Sequence, residues 1–554
     1  PFHAFGMFSV IDPDMINSVE FYKGGFTSEF GDRLSSVLDI ITKDGNKNSF
    51  AGSATSSLLT GKALFEGPIP HGSFMITGRK SYYSEVLKKF LNDKSAPINF
   101  YDLSLKLNYS NPNFIKGSKF DITSFISGDN LVNESPYTEN MSWSNKLLGV
   151  DWFQLTDSPL YFEMGISWSN FKGEVDPKLS SAKPKNNQLD DITTKMDFNY
   201  IFPSKDELSI GTEIKDINTT LYLENALGAI SNLSGNGTSI SVYGKYKFLR
   251  YENFGADVGA RIAAVSLLSS NNNPYMIQPR VSMTYRIFPA IALKGSWGIY
   301  EQELTTLSDE NEVISLFEPW IIIPDYLKPA GSIQYSIGAT TDFTSNISLD
   351  IEGYYKIMKN IPILNDNKIA STDPDLISAT GESYGWEFLF RYNNSRIAFT
   401  ASYTLSWAYN DVNGWVYYPR YDSRNSVDLT LEYNLGNNWR ASAIWVYNTG
   451  LPFTQSLGYY NKLYFSDLYN DWSIYENYQP FQLLSDRDLG RLPDYHRLDL
   501  SISKSFNIAW IKFSFDASII NVYNRANIFY FKRNTGERVN MLPFLPTATI
   551  KMEL

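Results

Sequence analysis

The chain of 554 residues lacks cysteine entirely, and its three histidines, His3, His71 and His496, lie far apart. The absence of cysteine excludes disulfides, thiol catalysis and cysteine metal sites. The HExxH metal motif, the Walker loop and the GxSxG nucleophile elbow are also missing, so common sequence signs of an enzyme are absent. We therefore expect no chemistry at a substrate, no cofactor and no metal.

Long hydrophobic runs are missing as well. The longest apolar stretches, such as Trp320–Ile323, are far shorter than the roughly 20 residues that a membrane-spanning helix needs. Charged residues make up 19% of the chain, and the mean hydropathy of -0.26 argues against a helical membrane protein. The net charge of -11 argues against a general nucleic-acid-binding protein, because such proteins gain affinity from Lys and Arg.

Aromatic residues, in contrast, are abundant at 15%, with 37 Tyr, 36 Phe and 12 Trp. Many segments alternate apolar and polar side chains, which predicts strands with one apolar and one polar face. The last strand is the clearest case, since Ala548, Ile550, Met552 and Leu554 share one face and the chain stops there. The other clear segments are 103–109, 240–248, 347–356, 427–434, 498–506 and 513–519.

The connections between these segments alternate in length. Short turns, such as 111–113, 156–159 and 436–438, separate long polar connections, such as 219–237 and 450–494. Short turns on one rim and long loops on the other are typical of outer-membrane barrels. The sequence therefore predicts an all-β fold, a transmembrane antiparallel β-barrel of about 22 strands with a hydrated lumen. A soluble β-sandwich, propeller or solenoid is the alternative, but these folds lack the alternation of short turns and long loops.

The first 47 residues differ from the rest. Residues 17–25 read as a strand and a turn, and residues 30–43 read as a turn and a second strand. A two-strand ribbon of this size is not stable as an independent domain. It needs a larger partner or an enclosing wall.

Several motifs resemble those of one family. The V-E-F-Y-K-G-G run, F-G-D-R-L-S-S-V and D-I-I-T-K within residues 17–43 resemble the end of the plug domain of TonB-dependent outer-membrane transporters. Downstream, E-G-Y-Y-K at 352–356, N-T-G-L-P-F at 448–453 and L-P-F-L-P at 542–546 are similar to that family's barrel. The resemblance implies a partial plug in residues 1–47, inside the lumen of a barrel formed by residues 48–554, in the Gram-negative outer membrane.

The chain departs from the family pattern at both ends. The family's plug is longer and begins with a coupling box, which binds a TonB-type energy-coupling protein. We expect those residues to precede Pro1 in a longer protein; the alternative is a protein that has lost its gate. At the other end, Leu554 stands where the family usually has Phe or Trp.

Two plug residues are candidates for contact with the barrel. Arg33 lies between the two plug strands, and Glu29 lies just before it. A plug–wall ion pair that breaks would permit plug movement. A static structural pair is the alternative, because buried ion pairs are weak signs of function.

Two aromatic-rich connections are candidates for ligand binding. The candidate residues are Tyr459, Tyr460 and Trp472 in the connection 450–494, and Trp415 and Tyr418 in 407–421. Tyr and Trp offer flat apolar faces with a polar handle, which suit sugars or a hydrophobic chelate. An interface girdle with self-packing loops is the alternative, and we favour it.

The apolar run at Trp320, Ile321 and Ile322 is a candidate contact for a partner, either a surface lipoprotein or a larger outer-membrane complex. Self-packing of the loop is the alternative. Asp373, Asp375 and Glu382 lie in another connection, where we expect solvated acids rather than a calcium site.

The resemblance implies an active importer of a scarce ligand such as a siderophore, cobalamin, a glycan or a peptide. Its partners would be outer-membrane lipid and the coupling protein. The alternative is a barrel that serves as a structural or docking component of a larger outer-membrane assembly.

Overall fold

The computed structural model describes residues 2–3, 8–82, 99–133, 135–136, 139–180, 183–224, 230–264, 275–307, 318–365, 368, 370, 372–460, 481–531, 536–541 and 543–554. Its main feature is one closed barrel of 22 antiparallel strands, each paired with its neighbours along the chain. The predicted fold class is therefore confirmed.

The barrel strands are numbered in chain order. They are β1 Ala51–Ser57, β2 Thr60–Ile69, β3 Gly72–Ser81, β4 Asn99–Tyr109, β5 Ser118–Leu131, β6 Asn140–Leu155, β7 Leu160–Asp176, β8 Lys185–Ile201, β9 Glu207–Glu224, β10 Ile230–Phe248, β11 Phe254–Ala264, β12 Tyr275–Phe288, β13 Ile291–Gln302, β14 Ala330–Thr344, β15 Ile347–Leu364, β16 Leu376–Asn393, β17 Ile397–Val412, β18 Asn425–Gly436, β19 Trp439–Asn448, β20 Tyr495–Ile508, β21 Ile511–Ile520 and β22 Leu545–Glu553.

Closure joins the last strand to the first. Thr549 of β22 lies opposite Ser57 of β1, and Glu553 lies opposite Ser53. On its other side β22 pairs with β21 over its whole length. Closure gives every described barrel strand a partner on both sides, which matters because lipid cannot satisfy the backbone groups of a free edge.

The alternation sorts the side chains onto two faces of the wall. On β22, Ile550 and Met552 are 51% and 41% exposed, because the outer surface has no protein to cover it. Lys551 between them faces inward and forms an ion pair with Asp14. The outer face is thus apolar and the lumen polar, as expected for strands that contact lipid on one side and water on the other.

The connections differ between the two rims. One rim, the short-turn rim, carries turns such as 70–71, 156–159, 345–346 and 437–438, whereas the other, the long-loop rim, carries connections as long as 303–329 and 449–494. The first connection on the long-loop rim is an exception, since two residues join β1 to β2.

Several strands extend further toward the long-loop rim than the sequence predicted. Strands β9 and β10 have 18 and 19 residues, so most of the expected loop 219–237 is strand. A tilted strand needs about 9–11 residues to cross the membrane. Beyond the membrane the outer face of the strand meets polar surroundings, while the inner face of β9 carries the buried Ile217, Leu221 and Leu223. The lipid-facing pattern therefore ends there while the backbone ladder continues.

Short paired strands occur outside the barrel ladder, together with one 3-10 turn at Pro13–Met15. Among the described residues, no helix is long and apolar enough to cross a membrane. The short pairs are Phe2–His3 with Phe8–Ser9, Ile16–Tyr22 with Val37–Thr42, Leu304–Thr306 with Trp320–Ile322, Pro452–Phe453 with Gly490–Arg491, Ser456–Tyr460 with Phe481–Leu484, and Ile528–Phe531 with Arg538–Asn540; Trp415–Tyr417 extends the pairing of β17.

Residues 8–48, the N-terminal segment, bind strands on different sides of the ring. Asp12 contacts Lys62 of β2 at 2.9 Å and Glu29 contacts Lys245 of β10 at 2.6 Å, while Lys356 of β15 donates to the Lys23 carbonyl at 3.0 Å. These barrel side chains belong to the polar face of the wall. A segment that bonds this face on several sides of a closed barrel lies inside it.

The two faces make a testable prediction about stability. Leu500 of β20 is on the outer face, so Leu500→Lys should destabilise the barrel by roughly 2–4 kcal/mol. Its neighbour Ser501 faces inward and bonds Ser442 at 2.7 Å, so Ser501→Lys should cost much less. Denaturant unfolding in lipid vesicles measures both values. Equal losses in the two variants would contradict the assignment of faces.

Candidate functional site in the lumen and at its mouth

A buried arginine of β12 holds the turn at residues 26–30. The Arg280 guanidinium Nη1 donates to the carbonyl oxygens of Thr27 at 2.5 Å and Phe30 at 2.6 Å. The same group lies over the rings of Phe26 and Tyr300, with centroid distances of 4.9 and 4.4 Å. Because its contacts are with carbonyl oxygens and ring faces, Arg280 holds the turn without a carboxylate.

A second set of charges holds Glu29 in the same turn. Lys245 Nζ lies 2.6 Å from Glu29 Oε2, and Arg261 Nη1 donates to the Glu29 carbonyl at 3.4 Å. Arg261 also pairs with Glu213 at 2.5 Å. Burial raises the pKa of the Glu29 carboxyl, but the Lys245 ammonium outweighs that effect, and the net pKa lies below its usual value. Glu29 is therefore ionised and paired with the wall.

Two aspartates anchor the start of the N-terminal segment near the closure of the barrel. Lys62 Nζ lies 2.9 Å from Asp12 and 2.5 Å from Asp14, and Thr77 donates to Asp12 at 2.5 Å. Lys551 of the last strand lies 3.2 Å from Asp14. Burial raises the pKa of Asp14, yet Lys62 and Lys551 together lower it overall.

At the opposite end, the paired strands Leu304–Thr306 and Trp320–Ile322 form a mouth hairpin that folds against the inner wall. Asn187 of β8 bonds both backbone groups of Trp320 at 2.8 Å, and the Thr219 hydroxyl accepts from the Ile322 amide at 3.2 Å. The hairpin also packs on inward apolar side chains of the wall, which are Leu189, Ile217, Leu221, Leu223, Leu364 and Leu376.

This packing overturns the expectation of an exposed patch at Trp320, Ile321 and Ile322. Ile321 and Ile322 are 1% and 9% exposed, and Trp320 is partly buried against the second of the two clusters. The prediction of a partner surface there is wrong for the isoleucines, because the loop folds into the mouth and packs on the wall.

One contact joins the N-terminal segment to the base of the mouth hairpin. The Glu303 amide donates to Asp32 Oδ1 at 2.8 Å. Asp32 has a left-handed backbone (φ 56°), which sets its carboxylate at the tip of the turn. Burial, with repulsion from Asp32 and Asp325, raises the pKa of Glu303 to about 7. The residue whose amide makes this contact therefore carries a carboxyl with a pKa near neutral, close to the Asp32 carboxylate.

The two predicted plug residues behave differently. Glu29 lies in the described ion pair with Lys245, whereas Arg33 turns toward its own neighbour. Arg33 Nη1 donates to the Asp32 carbonyl at 2.5 Å and lies 3.7 Å from the Asp32 carboxylate, and its side chain is 44% exposed. The wall contact expected of Arg33 is made instead by Asp32, because the turn directs the aspartate toward the mouth.

The aromatic residues of 407–421 that continue β17 lie on the outer side of the long-loop rim. Trp407 is stacked on Tyr384 at 5.3 Å, and Tyr409 is 5.1 Å from Tyr418. Trp407 and Tyr409 continue the alternation of Tyr403, which faces outward opposite Val427. This geometry favours the girdle over a ligand-binding face.

The other aromatic candidates add little to a ligand site. Trp415 is exposed, and Tyr418 lies under two guanidinium groups, those of Arg424 and Arg491. The side chains of Tyr459 and Tyr460 and all of Trp472 lie outside the described residues.

Sequence reasoning missed Arg261 and Arg280. Both lie at inward positions of alternating strands. Many such positions carry a charged residue, so the sequence does not distinguish these two arginines from the others. Within the described ranges, no group of three or more acids or histidines is placed to hold a metal ion. Asp375, one of the acids considered above, is paired with Lys368 at 2.6 Å.

Removing the Arg280 guanidinium should loosen the turn that it holds. Arg280→Gln leaves the Thr27 and Phe30 carbonyls without this donor, a loss of about 1–3 kcal/mol. We expect amide exchange at residues 26–30 to accelerate roughly tenfold or more, measured by hydrogen-exchange mass spectrometry. Arg286→Gln, at an exposed position on the same strand, is the matched control and should leave this exchange unchanged.

The raised pKa of Glu303 predicts that the hydrogen bond between the Glu303 amide and Asp32 depends on pH. A carboxyl with a raised folded-state pKa contributes stability that is fully present below its ordinary value of 4.5 and is lost as pH rises through about 7. Corrected for intrinsic exchange, protection of residues 304–306 should fall by up to about tenfold per pH unit in that window. Glu303→Gln should abolish the dependence, and an unchanged pH profile in this variant would contradict the assignment.

Comparisons with known proteins agree with this architecture. Residues 93–524 match the family model "TonB dependent receptor-like, beta-barrel". The comparison with curated proteins finds no match.

Solved structures share the fold at low identity. The FrpB iron transporter from Neisseria meningitidis is 10% identical over 98% of this chain and 88% of its own, with a TM-score of 0.71. The ferric-catecholate import receptor Fiu from E. coli K12 is 11% identical over 94% and 84%, with a TM-score of 0.66. The ferric preacinetobactin receptor BauA from Acinetobacter baumannii is 13% identical over 98% and 86%, with a TM-score of 0.65.

In this family the short-turn rim faces the periplasm and the long-loop rim faces the outside. Its members are receptors and transporters of the Gram-negative outer membrane, not enzymes. The family match covers well over half of the chain and the closed barrel agrees with it, so the chain belongs to the TonB-dependent receptor family.

Proposed function

We propose that the protein imports a scarce ligand across the outer membrane, energised by an inner-membrane complex through a TonB-type coupling protein. The observation that carries this proposal is the N-terminal segment inside the lumen, held by ion pairs and carbonyl contacts. Such contacts are exchangeable with water. A segment held in this way can yield to a pull from the periplasm without unfolding of the barrel.

The division of the chain is part of the same proposal. Residues 1–47 are the C-terminal part of a plug domain, and residues 48–554 are the barrel. The motifs at 17–43 support this division, as do the contacts of Asp12, Glu29 and Lys23 with the wall. Coupling would act through plug residues that precede this segment.

The mouth hairpin supports a route from the outside to the plug. It packs on the inner wall, and its base at Glu303 bonds Asp32 at the tip of the plug turn. A ligand that displaces the hairpin would therefore release the contact with Asp32. The turn at residues 26–32 would then depend on Arg280, Lys245 and Arg261 among the side chains described above.

The ligand belongs to the classes that the fold serves: a siderophore or other metal chelate, cobalamin, a glycan or a peptide. The similar solved structures are named as an iron transporter, a ferric-catecholate import receptor and a ferric preacinetobactin receptor, and for this reason metal chelates stand first in a test panel. At 10–13% identity those structures support the fold, not the cargo.

A reversible cross-link tests whether the plug segment must move. The chain has no cysteine, so Glu29→Cys with Lys245→Cys introduces the sole thiol pair, at positions whose side chains meet at 2.6 Å. We expect a short bis-methanethiosulfonate linker to abolish uptake of the transported panel ligand and a reductant to restore it. Ser442→Cys with Ser501→Cys, which links wall to wall, is the matched control and should leave uptake intact.

Deletion of the coupling protein distinguishes active import from a docking role of the barrel. Uptake should be abolished in that strain. Uptake that persists there and is also insensitive to the Glu29–Lys245 link would contradict active import. It would favour a barrel that acts as a docking component of a larger outer-membrane assembly.

A further inference from the structure

A cleft of about 400 Å³ opens at the long-loop rim, between the start of β20 and the connection from β21 to β22. Its lining includes Pro493, His496, Tyr523, Arg525, Ile528 and Arg538. The cleft takes no part in the contacts between the N-terminal segment and the wall.

The cleft lies on the outer side of the barrel. His496 continues the alternation of Leu498, Leu500 and Ile502, which face outward, and the last two are each 40% exposed. Tyr523 follows His496 onto this side, since its hydroxyl lies 2.7 Å from His496 Nδ1. The cleft therefore faces the surrounding membrane rather than the lumen.

Aromatic rings lie directly below the cleft. Tyr447 pairs with His496 across the ladder, and Trp445 pairs with Leu498 one step closer to the membrane centre. The two rings are stacked, with centroids 6.1 Å apart. Outward Trp and Tyr mark the level where acyl chains give way to headgroups. The cleft thus stands at the headgroup level of the outer leaflet.

The cleft is positively charged in a protein whose net charge is -11. Arg525 Nη2 donates to the Asp494 carbonyl at 3.1 Å, and Arg525 Nε is buried without a hydrogen-bond partner in the part of the chain that the structure describes. The Asp494 carboxylate accepts hydrogen bonds from the Tyr447 hydroxyl at 2.7 Å and the Gly450 amide at 3.1 Å, and it attracts the Arg525 guanidinium only at longer range. Arg538 adds an exposed guanidinium.

We propose that this cleft binds the phosphate of a phosphorylated sugar headgroup, that of a glycolipid in the outer leaflet. Guanidinium groups match phosphate oxygens in geometry and charge. Arg525 and Arg538 bind the phosphate, His496 and Tyr523 offer further polar contacts, and Pro493 and Ile528 contact the sugar. The site is separate from any transported ligand, because it opens outward.

Native mass spectrometry of the purified, delipidated full chain in detergent tests the site. The probes are diphosphorylated lipid A, its dephosphorylated form and inorganic phosphate. We expect diphosphorylated lipid A to bind at a concentration at least about tenfold lower than either other probe. The double variant R525Q/R538Q should weaken its binding by about tenfold or more.

The matched control is R286Q/R396Q, which removes two exposed arginines near the periplasmic rim. It changes the net charge equally and should leave lipid A binding unchanged. Heat-modifiable migration in gels checks that each variant is folded, and R525K/R538K, which keeps the charge, should bind more tightly than the glutamine pair. Equal binding by wild type and R525Q/R538Q would overturn the proposal. So would equal binding of lipid A and inorganic phosphate, which would indicate a free-phosphate site.

Discussion

Lipid offers no partner to a backbone amide or carbonyl, and the other features of this chain follow from that constraint. The pairing of β22 with β1 satisfies the strands that would otherwise form edges. Closure in turn separates an inner face from an outer face, and every second residue is assigned to one of them. The outer side chains must suit lipid, as Ile550 does, whereas the inner ones are free to carry charge, as Lys551 does.

The polar lumen explains how a short N-terminal segment is held without a hydrophobic core of its own. Its partners are wall side chains, namely Lys62 for Asp12 and Asp14, Lys245 for Glu29, and Arg280 for the carbonyls of the 26–30 turn. Ion pairs beside water contribute little net free energy each, and many weak contacts hold a segment while leaving it movable. A packed apolar interface of the same size would resist such movement more strongly.

The sequence was sufficient for the barrel but not for the site, for a physical reason. Alternation in 427–434 or 548–554 reflects lipid on one face and water on the other. The strands, the closure of the barrel and the difference between the short-turn and long-loop rims were therefore predictable. The upper parts of β9 and β10 lie beyond the lipid and pack apolar side chains such as Leu221 and Leu233 inward on the mouth hairpin, so they lose that signal. Arg280 and the mouth hairpin escaped prediction because long-range folding sets their partners. The run at Ile321 looked exposed since nothing local shows that Leu221 covers it.

The two faces of the wall also use arginine differently. Inside, Arg261 and Arg280 are buried and bind Glu213 and carbonyls of the N-terminal segment, although the Arg280 Nε has no acceptor among the described residues. On the outer rim, Arg424 and Arg491 share the single carboxylate of Asp422. Arg525 contacts a carbonyl and retains a buried Nε without a described acceptor. A desolvated donor without a partner costs free energy, and a ligand phosphate would remove that cost. The outer rim thus carries arginines in ion-pair contact with a carboxylate beside the aromatic girdle, whereas at the cleft open to the headgroups the described hydrogen bond of the Arg525 side chain goes to a backbone carbonyl.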